Sequence, residues 1–210
     1  MQRLRDQLGS TVYPVHRLDK ATSGVLLFAL NAAAARSLGA AFERGAITKR
    51  YLAIVRGWPP AALAIDHPLA RLHDAYEPGE PSEELQPAVT QLTRLATAEL
   101  PVCVDRYPVS RYALVALAPR SGRRHQLRRH LKHAGYPIIG DTTYGQGGHN
   151  RLFRGRFAND RLLLAAVSLA LAHPRTGEWL RIGAPPAADF LRIAAALGWP
   201  DVASLDAAGT

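Results

Sequence analysis

A single mixed α+β domain is predicted, and three features of the 210-residue chain predict it. Apolar runs of strand length recur at residues 25–30, 47–57, 111–118 and 161–172, bounded by glycine, proline or asparagine. Apolar residues at helical spacing interrupt them at about 32–44, 123–134 and 187–197. No internal repeat and no convincing linker divides the chain, so residues 1–210 read as one domain. With 48% hydrophobic and 20% charged residues, the composition is that of a globular protein able to bury a core.

The charge points to a partner. The net charge is +9, and only Lys20, Lys49 and Lys132 of the 26 basic residues are lysines. Arginine grips phosphate with two bonds and stacks on bases, which suits RNA better than a generic cationic surface does. An arginine-rich coding bias, with abundant alanine, is the plainer explanation. Cys103 stands alone, which excludes an intramolecular disulfide and a cysteine-rich metal site. Neither a signal peptide nor a long apolar span is present, so a soluble cytoplasmic protein without a membrane partner is expected.

Residues 1–15 read as short and irregular, with Gly9, Ser10 and Pro14 as breakers. The cluster from His16 to Gly24 then runs into the apolar stretch 25–30, which reads as one buried strand. Its carboxylate, Asp19, lies among His16, Arg17 and Lys20, which favour the ionised form. Asp19 is therefore either a nucleophile or electrostatic partner, or only a turn-former. Asn31 caps a helix over about 32–44, with Ala34, Leu38, Ala41 and Phe42 on one face and Gly45 as its stop.

Residues 47–57 are rich in β-branched and aromatic side chains, and the strand ends before Trp58, Pro59 and Pro60. Tyr51 follows Lys49 and Arg50; its ring serves either packing or a site. Residues 61–86, with Asp66, Asp74, Glu77, Glu80, Glu83 and Glu84, read as a long solvated loop. Further strands are expected at about 87–99, 102–107 and 111–118.

After a turn at 119–122 comes a basic helix carrying Arg123, Arg124, His125, Gln126, Arg128, Arg129, His130 and His133. Leu127, Leu131 and Ala134 face the core, and Gly135 ends the helix. Arg128 lies about 100° round from Leu127, at the border of the apolar stripe, where it can reach a cleft. A metal site on the three histidines is disfavoured by the surrounding arginines and by the lack of a neighbouring carboxylate or cysteine. The connector 136–141 leads into a glycine-rich loop at 142–150, followed by Arg151, Arg154 and Arg156. The loop lacks the G-x-x-x-x-G-K pattern of a triphosphate site. A strand at 161–172, a turn at 174–177, a return strand at 178–182 and a helix at 187–197 close the chain.

Three clusters in this order resemble the RluA family of RNA pseudouridine synthases. They are His16-Arg17-Leu18-Asp19 with Thr22-Ser23-Gly24; Lys49-Arg50-Tyr51-Leu52-Ala53 with Val55 and Gly57; and Gly122-Arg123 with His125-Gln126-Leu127-Arg128, continuing through Pro137-Ile138 and Gly140-Asp141. The resemblance implies a mixed, mainly antiparallel sheet with flanking helices and a central RNA-binding cleft. It implies isomerisation of uridine to pseudouridine without cofactor or metal. Asp19 matches the family's catalytic aspartate, Tyr51 its active-site tyrosine, and Arg128 the arginine that pairs with the aspartate. His16, Arg17, Thr22, Lys49, Arg50, Arg123, Arg124, His125, Gln126 and Arg129 are the expected RNA contacts, and His16 or an arginine is expected to fill the gap left by a flipped nucleotide.

The Gly140-to-Gly145 stretch and His149-Asn150-Arg151 resemble a bacterial branch that acts on tRNA, at uridine 65. A monomer acting on tRNA is therefore expected, with ribosomal RNA as the alternative substrate. The family's early Lys-Pro-Ser-Gly-like strand has no counterpart before His16, so an N-terminal strand segment is expected to be missing. An RNA-binding module of the same fold without turnover is the competing reading. A metal-dependent nuclease would need clustered carboxylates, and the acids of residues 66–84 lack ligand spacing.

Overall fold

In the computed structural model, residues 2–72, 82–199 and 202 are described. The central sheet has seven strands. Its path runs β11 (Trp179–Gly183), β10 (Leu164–Ala172), β4 (Thr48–Arg56), β9 (Ser110–Pro119), β8 (Val89–Leu100) and β5 (Ala62–Asp66), every neighbour antiparallel. The short β2 (Ser23–Gly24) joins β10 in parallel. Two small ribbons stand apart, β1 (Tyr13–Pro14) with β3 (Phe28–Ala29), and β6 (Leu69–Arg71) with β7 (Ser82–Gln86). The architecture is α+β with a mainly antiparallel sheet, as expected.

The middle strands are apolar on both faces because both faces are covered. On β4, Leu52 and Ile54 join a core with Phe153 and Phe157 of α4 (Gly147–Phe157) and Phe190 and Ile193 of α5 (Ala188–Ala196). Alternate residues Ala53 and Val55 face the other way, onto Leu127 and Leu131 of α3 (Gln126–His133). Strand alternation puts Lys49 and Tyr51 on the α3 side as well. A third cluster packs Leu38 of α2 (Ala32–Glu43) with Val25, Ala29, Leu169 and Leu171. The Asn31 side chain accepts the Ala34 N–H at 2.8 Å, so the predicted cap is in place.

Several expected elements differ. The N-terminal residues include a helix, α1 (Gln2–Leu8), where an irregular segment is predicted. The apolar stretch 25–30 is no single strand: Leu26 and Leu30 are exposed, and only β3 pairs there, with β1. Residues 61–86 hold β5, β6 and β7; Asp74, Glu77 and Glu80 lie outside the described residues. Residues 102–107 form no strand, and an unexpected helix, α4, begins inside the glycine-rich stretch and takes in residues 147–150 of it. Among the described residues, no helix is long and apolar enough to cross a membrane.

Candidate active site

A cleft of about 400 Å³ opens where three distant pieces of chain meet: the turn after His16, the start of β4 and the entry to α3. The first piece is fixed by its backbone. The Asp19 carbonyl accepts the Thr22 N–H at 2.8 Å, so the turn closes through main-chain atoms. Ser23 and Gly24 then run beside Ala165 and Ala166 of β10, and Ala166 is also the cross-strand partner of Tyr51. Gly24 is required here. Its φ is +114°, and a Cβ would overlap the Ala166 carbonyl oxygen. One residue of β10 thereby sets the Asp19 turn and Tyr51 side by side.

His16 anchors the same piece: its Nε2 accepts the Leu27 N–H at 2.9 Å and its ring stacks on Phe42 of α2 at 4.6 Å. Burial lowers its pKa to about 4, so the ring is neutral at working pH. These bonds hold His16 as a wall of the cleft and do not favour the expected swing into a base stack.

The second piece supplies Tyr51 and Lys49. Burial, with the Asp19 charge adding to it, pushes the Tyr51 hydroxyl up to about 12, so it stays protonated. Burial lowers the Lys49 pKa, and its Nζ donates to the Ser121 carbonyl at 2.9 Å. Arg50 points to the opposite side of β4 and does not line the cleft.

The third piece is α3, entered through His125 in a left-handed conformation at φ 54°. His125 Nδ1 lies 3.1 Å from the Tyr144 hydroxyl, and burial lowers its pKa. Arg123 and Arg124 line the cleft, as do Arg17 and Thr22. Gln126 also borders it, but its amide is fully engaged. Its Oε1 accepts from Ser121 Oγ and the Arg123 N–H; its Nε2 donates to the Val89 carbonyl and Thr90 Oγ1. Its side chain is a structural strut between α3 and β8. Arg129 lies outside the cleft, with Nη1 donating to the Ala70 carbonyl at 2.9 Å.

Arg128 ties the pieces together, with one surprise. Nη1 stands 3.7 Å from Asp19 Oδ2, an electrostatic pair too long for a hydrogen bond. Its strong bonds go to Asp141: Nε to Oδ2 at 2.7 Å and Nη2 to Oδ1 at 2.8 Å. Asp141 Oδ1 also accepts the N–H groups of Thr143 and Tyr144, both at 2.9 Å. Burial alone would raise the Asp141 carboxyl, but these donors hold it below the usual carboxylate range. The Asp141 bonds raise the Arg128 pKa. Side-chain exposure grows outward along this row, 1% at Asp141, 8% at Arg128 and 24% at Asp19. Only Asp19 can meet a solute.

Sequence reasoning missed Asp141 as a partner of Arg128. The available signal was an aspartate between two close-set glycines, Gly140 and Gly145, just after the basic helix. The histidines of α3 are also accounted for: His130 lies 2.9 Å from Thr90 Oγ1 and 3.0 Å from the His67 carbonyl, and His133 stacks on His67. Among the described residues, no group of three or more His, Cys, Asp or Glu side chains is placed to hold a metal ion.

Comparison with known proteins shows which family the chain resembles. The profile of a family described as RNA pseudouridylate synthase matches residues 1–133. The chain is 43% identical over 203 residues to a tRNA pseudouridine synthase C of Vibrio cholerae, covering 96% of this chain and 83% of that protein. It is 46% identical over 201 residues to one from Salmonella typhi, covering 95% and 77%. Among solved structures, human RNA pseudouridylate synthase domain containing 1 matches with TM-score 0.68 and 30% identity, covering 88% of this chain and 72% of that one. Human RNA pseudouridylate synthase domain containing 4 matches with TM-score 0.69 and 25% identity, covering 94% and 80%.

Proposed function

The chain belongs to the RluA family of RNA pseudouridine synthases, and we propose from that premise that it isomerises a uridine of tRNA at the Asp19 cleft. The observation that carries the site is the juxtaposition of Asp19, Tyr51 and Arg128 from three separate pieces of chain. Isomerisation breaks the C1′–N1 bond, turns the detached uracil and forms a C1′–C5 bond. The proton leaves C5 and the product carries one on N1, so nothing is gained or lost. Asp19, open to the cleft, attacks C1′ as the C1′–N1 bond breaks and is displaced when C5 bonds there, or it stabilises positive charge developing at C1′. The Tyr51 ring packs against the base while its protonated hydroxyl stands beside Asp19. Arg128 supplies a cation 3.7 Å from the Asp19 carboxylate.

The relatives named for tRNA support that substrate over ribosomal RNA, and a tRNA substrate supports a cytoplasmic place of action. The whole constellation lies in one chain, which supports action as a monomer. The test is Asp19→Asn, which keeps the side chain's shape and the main-chain turn while removing the charge. The variant should bind tRNA as well as wild type or better, melt at a similar temperature and release no tritium from [5-³H]uridine-labelled tRNA. Substantial activity in the folded variant removes Asp19 from the chemistry. Mapping pseudouridines in tRNA and ribosomal RNA from cells with and without the gene decides the substrate, with uridine 65 of tRNA as the expected site.

A further inference from the structure

The Arg128 guanidinium lies between two carboxylates and divides its donors unequally. Nε and Nη2 are bonded to Asp141, while Nη1 faces Asp19 at 3.7 Å. We propose that Asp141 is a positioning residue for the isomerisation: it holds Arg128 back from closing onto Asp19, so that Asp19 sits beside a cation yet keeps its oxygens available to C1′. The inference rests on Asp19 being the reacting carboxylate.

Two sets of observations support it. The loop that carries Asp141 is built to stay in place. Asn150 Oδ1 accepts the Gly140 N–H and its Nδ2 donates to the Asp141 carbonyl. Gly140 has φ +81°, and a Cβ there would overlap the Arg161 carbonyl; a Cβ at Gly145 would overlap the Asp141 carbonyl. The Tyr144 ring backs the guanidinium at 5.1 Å. Second, the pair is an expensive way to hold a fold. Both side chains are nearly fully buried, and a buried ion pair often stabilises no more than apolar residues of similar volume. With Asp141 removed, Arg128 has Asp19 within easy reach. A carboxylate gripped by two guanidinium donors has its lone pairs occupied and its position moved, both unfavourable for attack at C1′.

The experiment is a double-mutant cycle on turnover of labelled tRNA. Asp141→Asn keeps an oxygen for the Thr143 and Tyr144 N–H groups and removes the charge that competes for Arg128. Its kcat should fall about 100-fold, the scale expected for a small misplacement of a reacting group, while KM for tRNA stays within about twofold. In an Arg128→Ala background the same change should cost nothing further, because Asp141 acts only through Arg128. A folded Asp141→Asn protein with wild-type kcat overturns the proposal, and so does a double variant in which the two losses multiply. A merely structural role would lower the melting temperature and leave this cycle additive. Should Asp141→Asn fail to fold, Asp141→Glu carries the same test: the carboxylate is kept but lengthened, so kcat must fall, KM must hold, and Arg128→Ala must erase the difference. Asp19→Asn is run in parallel. Activity in that variant overturns the reading of the site itself, whereas an inactive Asp19→Asn with a fully active Asp141→Asn overturns only the positioning role.

Discussion

Burial holds the His16 pKa near 4, far below that of a solvated imidazole, and this makes His16 a stability element as well as a wall of the cleft. As pH falls below about 6.5, the unfolded chain takes up the proton first, because the folded ring resists it. The stability contributed by neutral His16 is therefore present above that pH and is lost progressively as pH falls toward 4. His125, His130 and His149 are shifted the same way by burial and add to the same slope. Melting temperature should drop between about pH 7 and pH 5 in the wild type, and His16→Gln should show a lower starting value with a flatter pH dependence. Parallel curves for the two proteins would mean that His16 titrates alike in the folded and unfolded chain, against the lowered value. Tyr51 shows the opposite case: a group pushed to about 12 stays neutral through the working range, so its hydroxyl faces the cleft as a hydrogen-bonding phenol.

At the scale of elements, β2 is two residues long and yet fixes the Asp19 turn. Gly24→Ala would have to adopt φ +114° and push its Cβ into the Ala166 carbonyl, so β2 must separate from β10. The cost should be at least about 2 kcal/mol in denaturant unfolding, with loss of turnover as Asp19 moves away from Tyr51. Gly177→Ala is the control: it has φ +75° but open space around its Cβ, and should cost only about 1 kcal/mol with turnover retained. Equal losses in the two variants would argue against β2 as the clamp. The same scale shows what was legible in the sequence. The α2 cap, β4, β9 and β10 follow from pattern because each has a strong local signal, as does α3 from Gln126 on, although Arg123, Arg124 and His125 precede the helix they are expected to lie on. The stretch 25–30 misled because its residues serve a ribbon and a helix contact in turn, leaving Leu26 and Leu30 exposed. The whole of α4 was missed, because Gly147 and Gly148 speak for a loop locally but lie in a helix whose Phe153 and Phe157 are held by the core. Ribbon β6–β7 was hidden by acidic composition, which reports solvation rather than pairing.

For the whole molecule, motif order singled out Asp19, Tyr51 and Arg128, but the partition of Arg128 between two carboxylates exists only in three dimensions. No spacing along the chain reveals that Asp141, thirteen residues past Arg128, takes the two short bonds. The same holds for the arginines. A net charge of +9 says that a polyanion is attracted, not which side chains touch it. The fold separates them into cations that line the cleft, such as Arg17 and Arg123, the latter with Nε donating to the Pro87 carbonyl at 3.3 Å, and cations outside it, such as Arg129 on the Ala70 carbonyl. Each arginine that neutralises a phosphate releases counterions and steepens the salt dependence of binding. Arg17→Ala and Arg123→Ala should each reduce the slope of log affinity against log salt by about 0.7–0.9, with affinity for unrelated tRNAs weakened to a similar extent. Arg129→Ala should leave that slope unchanged, because its side chain lies outside the cleft, on β6. The measurement is tRNA binding at several salt concentrations between roughly 50 and 200 mM. A slope lowered by Arg129→Ala but not by Arg17→Ala or Arg123→Ala would move the phosphate path off the cleft and onto the opposite flank of α3.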